Sequence, residues 1–410
     1  MRIIEQRVGV FFLPFYWIVE KSLCRMRYNN CRKKGRCTMK GKGRKRKKTR
    51  WKRRVLAVCL VLVLIPAGYI GLILGYMGKV EPETDAVTTN TESSMYTLEE
   101  FSERLKPYSG LYEEAVLAHA DEPDSGTYVI PGLESARTLT SNGDGKYSIC
   151  TGMTPQGITV SEQYLFISAY CQSKTHNSVV FMIDKETHEF VKEIVLPNKA
   201  HVGSLAYDGE NNNLWVCGSR NGVAQVNALD MESVEAYDFS ESWEPVSFLH
   251  VNNILDIPRS SFMTYHASYL YVGYYSTKEN SMIKKYEVQD DGNIQSVPIK
   301  HRTSKVRQGV ADDEDLKISR YAQGMTFLSD ILFLSYSMGI VPSRLAAYQV
   351  SDGIRDYTDE MALEDIRLPY MLEQICMDGG TMYLLFESGA YPYRYLPGLS
   401  VDRVLKIDIL

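Results

Sequence analysis

Residues 126–410 predict an all-β fold, a ring of repeated four-stranded sheets that makes a β-propeller of five blades. Three observations lead there. The segment consists of short runs of Tyr, Phe, Val, Ile and Leu broken by Gly, Asn and Asp, without sustained helical periodicity. Five stretches within it share one form, a small, polar or aromatic residue and an aliphatic one followed six to eight residues later by a four-residue aromatic or aliphatic run. A third apolar run ending in a polar residue follows each of them.

The chain before this region sets its placement. Residues 1–54 hold 20 Lys and Arg against 2 Glu, a charge of +18, whereas residues 55–410 hold 26 against 48, a charge of −22. Residues 55–77 are apolar and uncharged for 23 positions, long enough at about 1.5 Å per residue to cross the roughly 30 Å hydrocarbon core of a bilayer. This predicts a transmembrane signal-anchor helix rather than a cleaved signal peptide, whose apolar region is shorter and ends in a small-x-small site. Eleven of residues 40–54 are Lys or Arg. Basic residues beside a first helix stay in the cytoplasm, so the amino end is expected inside and the carboxyl-terminal domain outside, with residues 40–54 attracted to anionic lipid headgroups and no nucleic-acid partner implied. Residues 1–38 fit this plan poorly, and Met39 opens an ordinary signal-anchor, which makes the first 38 residues a candidate start-site artefact. Residues 78–95 are rich in Thr, Ser and Glu, the composition of a flexible stalk. In residues 96–125 Thr97 and Glu100 form a capping box for a short helix.

The repeats follow. Gly157-Ile158 precedes YLFI at 164–167, Ser204-Leu205 precedes NLWV at 213–216, Phe262-Met263 precedes YLYV at 269–272, Gly324-Met325 precedes ILFL at 331–334, and Gln374-Ile375 precedes MYLL at 382–385. The aliphatic markers 158, 205, 263, 325 and 375 lie 47, 58, 62 and 50 residues apart. Third runs stand at 179–184, 223–227, 282–287, 345–349 and 404–408, and fourth runs at 190–195 and 234–239. Four antiparallel strands in about 40–60 residues is the pattern of a propeller blade; a β-sandwich with similar hairpins is the competing fold, and six blades the competing count. The chain stops after the third run of its last unit, which leaves an open sheet edge. A closing strand is therefore expected from before the first unit, within 137–150.

The phrases QGITVSEQYLFIS, HVGSLAYDGENNNLWV and MYLLFES resemble those of the broad β-propeller superfamily that includes NHL-type, YncE-like and gluconolactonase-like repeats, in the style of membrane-anchored bacterial cell-surface proteins. The resemblance implies a fold and a ligand face, and leaves the activity open.

Chemistry-bearing motifs are sparse. Gly-x-Ser-x-Gly, the P-loop pattern and Gly-x-Gly-x-x-Gly are all missing, which lowers the expectation of an enzyme, and no cofactor is implied. The seven His lack zinc-site spacing, so no metal ligand set is assigned, and the acidic run 312–315 reads as a solvated loop. Of the exported cysteines, Cys150 and Cys171 are close enough in sequence for a disulfide, whereas Cys217 and Cys376 sit in apolar strand contexts where a free, buried thiol is the ordinary state. In a propeller the residues before each innermost strand and after each second strand gather at the channel. Those positions hold Gln156, His201, Gln323 and Glu373 in the first set, and Tyr170, Arg220, Tyr275, Tyr336 and Glu387 in the second. Such Tyr, amide and carboxyl groups suit an envelope glycan, a peptide or a partner protein. Glu373 and Glu387 stand near Arg394 in the last unit, which reads either as an ion pair fixing the blade or as a carboxylate pair for a hydrolase or lactonase.

Overall fold

The computed structural model describes residues 91–141, 145–299, 305–396 and 398–409, together with isolated positions 55, 60, 64 and 68. The expectations for residues 1–54, the membrane helix and most of the stalk lie outside these residues. Among the described residues no helix is long and apolar enough to cross a membrane.

Alternating β-branched and aromatic residues give five four-stranded antiparallel cores arranged as blades, so the carboxyl-terminal domain is a five-bladed β-propeller. Blade 1 comprises Met153–Val160, Tyr164–Cys171, Val179–Asp184 and Phe190–Val195. Blade 2 comprises Leu205–Asp208, Asn213–Arg220, Val223–Asp230 and His250–Ile254, widened by Val306–Gly309 and Ser296–Pro298. Blade 3 holds Phe262–His266, Tyr269–Gly273, Ser281–Glu287 and Leu316–Ile318, with Asp356–Tyr357 added in parallel. Ala322–Leu328, Ile331–Met338, Val341–Gln349 and Glu364–Tyr370 form blade 4. Blade 5 is Leu372–Asp378, Thr381–Phe386, Arg403–Asp408 and, from the other end of the domain, Tyr128–Val129.

Apolar clusters between successive blades hold the ring. Phe166, Val180 and Ile194 meet Leu205, Leu214 and Val216; Trp215 and Val226 meet Met263, Leu270 and Val272; Phe262 and Ile283 meet Met325, Leu332 and Leu334. Each such side chain contributes about 1.5–3 kcal/mol on burial. Between blades 4 and 5 the cluster of Phe333, Leu345, Leu372, Ile375 and Leu384 also takes in Phe101 and Leu105. Those two belong to helix α1, Leu98–Leu105, capped as expected by Thr97 and Glu100, whose backbone amides reach each other's side chains at 3.0 and 3.2 Å. At the axis the strands approach closely. A Cβ on Gly157 would stand 2.7 Å from the Ser204 backbone of blade 2, and one on Gly324 would stand 2.8 Å from Cα of Gln374 in blade 5.

Three expectations need correction. The closing strand does come from before the first unit, but it is Tyr128–Val129, paired with Val404 and Arg403. Residues 137–150 instead belong to a hairpin of Ala136–Leu139 with Tyr147–Cys150, which satisfies its own ladder and leans on the 175–177 loop of blade 1 through Asn177 N to Leu139 O at 2.8 Å. Run 234–239 is not the fourth strand of blade 2. The Asp230 carboxylate accepts from Ser233 N at 3.0 Å and caps a helix, Met231–Ala236, while His250–Ile254 completes the blade. Finally, the last residues assigned to the stalk are docked: the Thr91 carbonyl accepts from Gly132 N at 2.7 Å, and the Met95 amide donates to the buried Asp402 carboxylate at 2.9 Å.

Candidate functional site

Blade geometry decides which repeated residues share a face. The aliphatic markers pair across the two inner strands as Ile158 with Ile167, Met263 with Val272 and Ile375 with Leu384. Three positions past those partners stand Tyr170, Tyr275 and Glu387, as expected. The same count in blades 2 and 4, from Leu205 with Val216 and Met325 with Leu334, arrives at Ser219 and Ser337 instead of Arg220 and Tyr336. A one-residue offset turns a strand side chain to the other face. Tyr336 accordingly leaves the site: it is buried between blades 3 and 4, its hydroxyl 3.0 Å from that of Tyr348 and its ring 4.7 Å from the Arg344 guanidinium. Arg220 is exposed at the strand end. Arg394 does not face Glu387 either; its guanidinium binds Glu134 at 2.6 Å and the Leu133 carbonyl.

The other predicted residues converge on one mouth of the channel. Glu373, on the innermost strand of blade 5, and Glu387, just past the end of the next strand, bring their carboxyl groups together. Gln156 Nε2 donates to Glu387 Oε2 at 2.9 Å from blade 1, and Gln323 Nε2 donates to Glu373 Oε1 at 3.0 Å from blade 4. Loss of solvent is the main cause that raises both carboxyls; Glu373, 4% exposed and beside a second negative charge, rises furthest, and Glu387 rises to about 7. Glu373 thus keeps its proton and donates it to the Glu387 carboxylate. The phenols of Tyr170 and Tyr393 lie near each other beside the pair, and Tyr170 donates to Gln172 Oε1 at 2.6 Å. Charge on Glu387 holds the Tyr393 phenol above its ordinary range, as burial does for Tyr170. The ring of His201 lies 4.3 Å from that of Tyr170. It is open to solvent but crowded by protein, and this crowding with the charges of Lys174 and Arg259 lowers its pKa. Tyr275 and Tyr321 place their rings 6.3 Å apart on the far side.

Three functional groups escape the sequence reading. Tyr393 lies outside the repeat, between the last two strands of blade 5. Gln374 occupies the slot that holds Gly157, Ser204, Phe262 and Gly324 in the other units, and that oddity is its signal in the sequence. Its Oε1 accepts from Ile158 N at 2.7 Å and Leu205 N at 2.9 Å, and its Nε2 donates to Leu205 O at 2.6 Å and Met263 O at 3.1 Å. One amide thereby stitches three blades to a fourth and blocks the channel behind the carboxyl pair. A cavity of about 320 Å³ opens beyond it, lined by Thr159, Tyr207, Tyr265, His266 and Phe327. The chemically poised groups stand at the other mouth.

The third is His176. Cys150 and Cys171 are unbridged thiols, and with His176 they bring three ligand atoms within 4.8 Å of one another. The Cys150 sulfur beside it holds the Cys171 thiol below its ordinary range, and Cys171 in turn raises Cys150.

No protein-family model and no curated protein matches the chain. Solved structures match it at low identity and with TM-scores below 0.5. A putative oxidoreductase (glucose dehydrogenase) from Thermus thermophilus matches at 11% identity and TM-score 0.36, over 68% of this chain and 91% of that one. A structural genomics protein of unknown function from Bacteroides thetaiotaomicron matches at 12% and 0.31, over 67% and 76%. Hydrazine synthase from Kuenenia stuttgartiensis matches at 14% and 0.31, over 56% of this chain and 55% of that chain, so this chain spans about half of it.

Proposed function

We propose that the protein is a membrane-tethered, extracytoplasmic binding module whose polar channel mouth recognises an envelope glycan; peptide or partner-protein ligands would use the same surface. The observation that supports this reading is the proton-sharing carboxyl pair flanked by Gln156, Gln323, Tyr170 and Tyr275, contributed by four blades. Such a set offers donors and acceptors to hydroxyl groups and ring faces to their carbons. The carboxyl groups touch, whereas glycosidases hold theirs about 5–9.5 Å apart to admit the sugar and a water, which favours binding over glycoside hydrolysis. Tyr275→Ala combined with Glu387→Gln should weaken retention on isolated envelope polysaccharide at least tenfold, with little change in thermal midpoint near pH 5. Undiminished retention would remove the mouth as the binding surface.

One observation favours a second reading, an exported hydrolase or lactonase. Glu387, with its pKa near 7 and a protonated neighbour, is matched to acid–base work around neutrality. Turnover of simple lactones that disappears in Glu373→Gln would establish it.

A further inference from the structure

We infer that Cys150, Cys171 and His176 form a binding site for a thiophilic cation, Zn²⁺. The donor set is two sulfurs and one imidazole nitrogen, which suits zinc, and the atoms lie within 4.8 Å of one another. Zinc bonds of about 2.3 Å to sulfur and 2.0–2.1 Å to nitrogen put tetrahedral ligand atoms roughly 3.5–3.8 Å apart. Cys171 Sγ and His176 Nδ1 already stand 3.3 Å apart, so the cluster closes on an ion with movements of about an ångström.

The surroundings support the same conclusion independently. His176 Nε2 lies 3.0 Å from Ser148 Oγ, the outer contact that fixes a ligating imidazole in the tautomer with its Nδ1 lone pair free. Cys150 ends one strand of the 136–150 hairpin and Cys171 ends the second strand of blade 1, so two ligands come from regular elements. His176 is pinned by a bridge to Thr140. Both cysteines are buried, while His176 is partly exposed and offers the path of entry. Three protein ligands leave a fourth position for water. Binding converts both sulfurs to thiolates, any thiol proton passing to the buffer, with no change of oxidation state. The ion would tie the hairpin to blade 1 across the segment that carries Tyr170 to the channel mouth. The inference does not depend on the ligand proposed for that mouth.

Cys24, Cys31, Cys37 and Cys59 lie elsewhere in the chain, so the test uses the full-length protein in detergent with those four replaced by serine. Under reducing conditions one equivalent of Co²⁺ should give thiolate-to-metal charge transfer and tetrahedral ligand-field bands, and Zn²⁺ should displace it. Cys150→Ser or Cys171→Ser should abolish the charge-transfer band. Ser148→Ala, which leaves the three ligands in place, should weaken affinity by about tenfold. Zn²⁺ should raise the thermal midpoint of the parent and not that of the serine variants. The inference is overturned if the reduced protein gives the same cobalt spectrum as the Cys150→Ser/Cys171→Ser variant, or if protein taken from its native membrane carries a 150–171 disulfide and, once reduced, takes up no metal.

Discussion

Two carboxyl groups in contact are tolerated in a protein interior while a proton sits between them. Both belong near 4.5 in the unfolded chain, yet folding raises Glu387 to about 7 and Glu373 well above its ordinary value. The native state therefore binds more protons than the unfolded one above about pH 4.5, and stability falls as pH rises through 7. Its full value is present below pH 4.5. Glu387→Gln removes one of these titrations, so its thermal midpoint should match the wild type near pH 5 and exceed it at pH 8, by the equivalent of about 1–3 kcal/mol. A wild-type midpoint that is flat across this range would contradict the shared proton. Gln374→Leu should act in the opposite direction at every pH, costing about 3 kcal/mol or more, because Ile158 N and Leu205 N would be left buried without acceptors. Chemical denaturation measures it directly. The carboxyl pair and its two glutamines are legible in the repeats because each sits at a fixed step from an aliphatic marker. Tyr336 and Arg220 are misplaced for the same reason reversed: the sequence marks a strand end only by where an apolar run stops, and a count that is off by one exchanges a channel-facing side chain for one on the other face.

Short strands are harder to see than long ones. Tyr128–Val129 is a two-residue strand with no alternation to detect, and its partner lies 274 or more positions away, so nothing local marks it as the closure of the ring. Residues 136–150 look more like a strand because they hold two, paired within their own hairpin. The two assignments separate experimentally. A chain beginning at Ala136 keeps the hairpin and loses the closing strand, and it should self-associate through the exposed blade 5 edge, whereas one beginning at Thr91 should stay monomeric in sedimentation. Equal behaviour would return closure to the hairpin. Tyr128→Ala in the intact chain should cost about 3–5 kcal/mol, since the ring is fully buried and stacks at 3.8 Å on His188. The helix at Met231–Ala236 reads as a strand because Tyr237 and Phe239, just past its end, alternate with Asp238 behind the apolar Val234. Asp230 as an N-cap decides it, and that cap is the signal the apolar pattern hides.

At the scale of the molecule, the ring is legible because its blades repeat one pattern and because a closed ring removes the edge that a linear array would expose. What joins the ring to the rest of the chain is less so. Charge asymmetry predicts that residues beyond 78 are exported, and a reporter that works only in the cytoplasm, fused after Gly78, should be silent while an export reporter is active. Cytoplasmic activity would reverse the topology. The place where the chain enters the domain carries a mechanical consequence. Among the described residues, a load from the amino-terminal side meets first the hydrogen bonds of Thr91 to Gly132 and of Met95 and Tyr96 to Asp402. Helix α1 comes next in the path, and the Tyr128–Val129 seam comes after it. These contacts stand in series ahead of the two-residue seam that closes the ring, so they act as a strain relief: a pull from the amino-terminal side is spent undocking a few residues before it can begin to unzip the propeller.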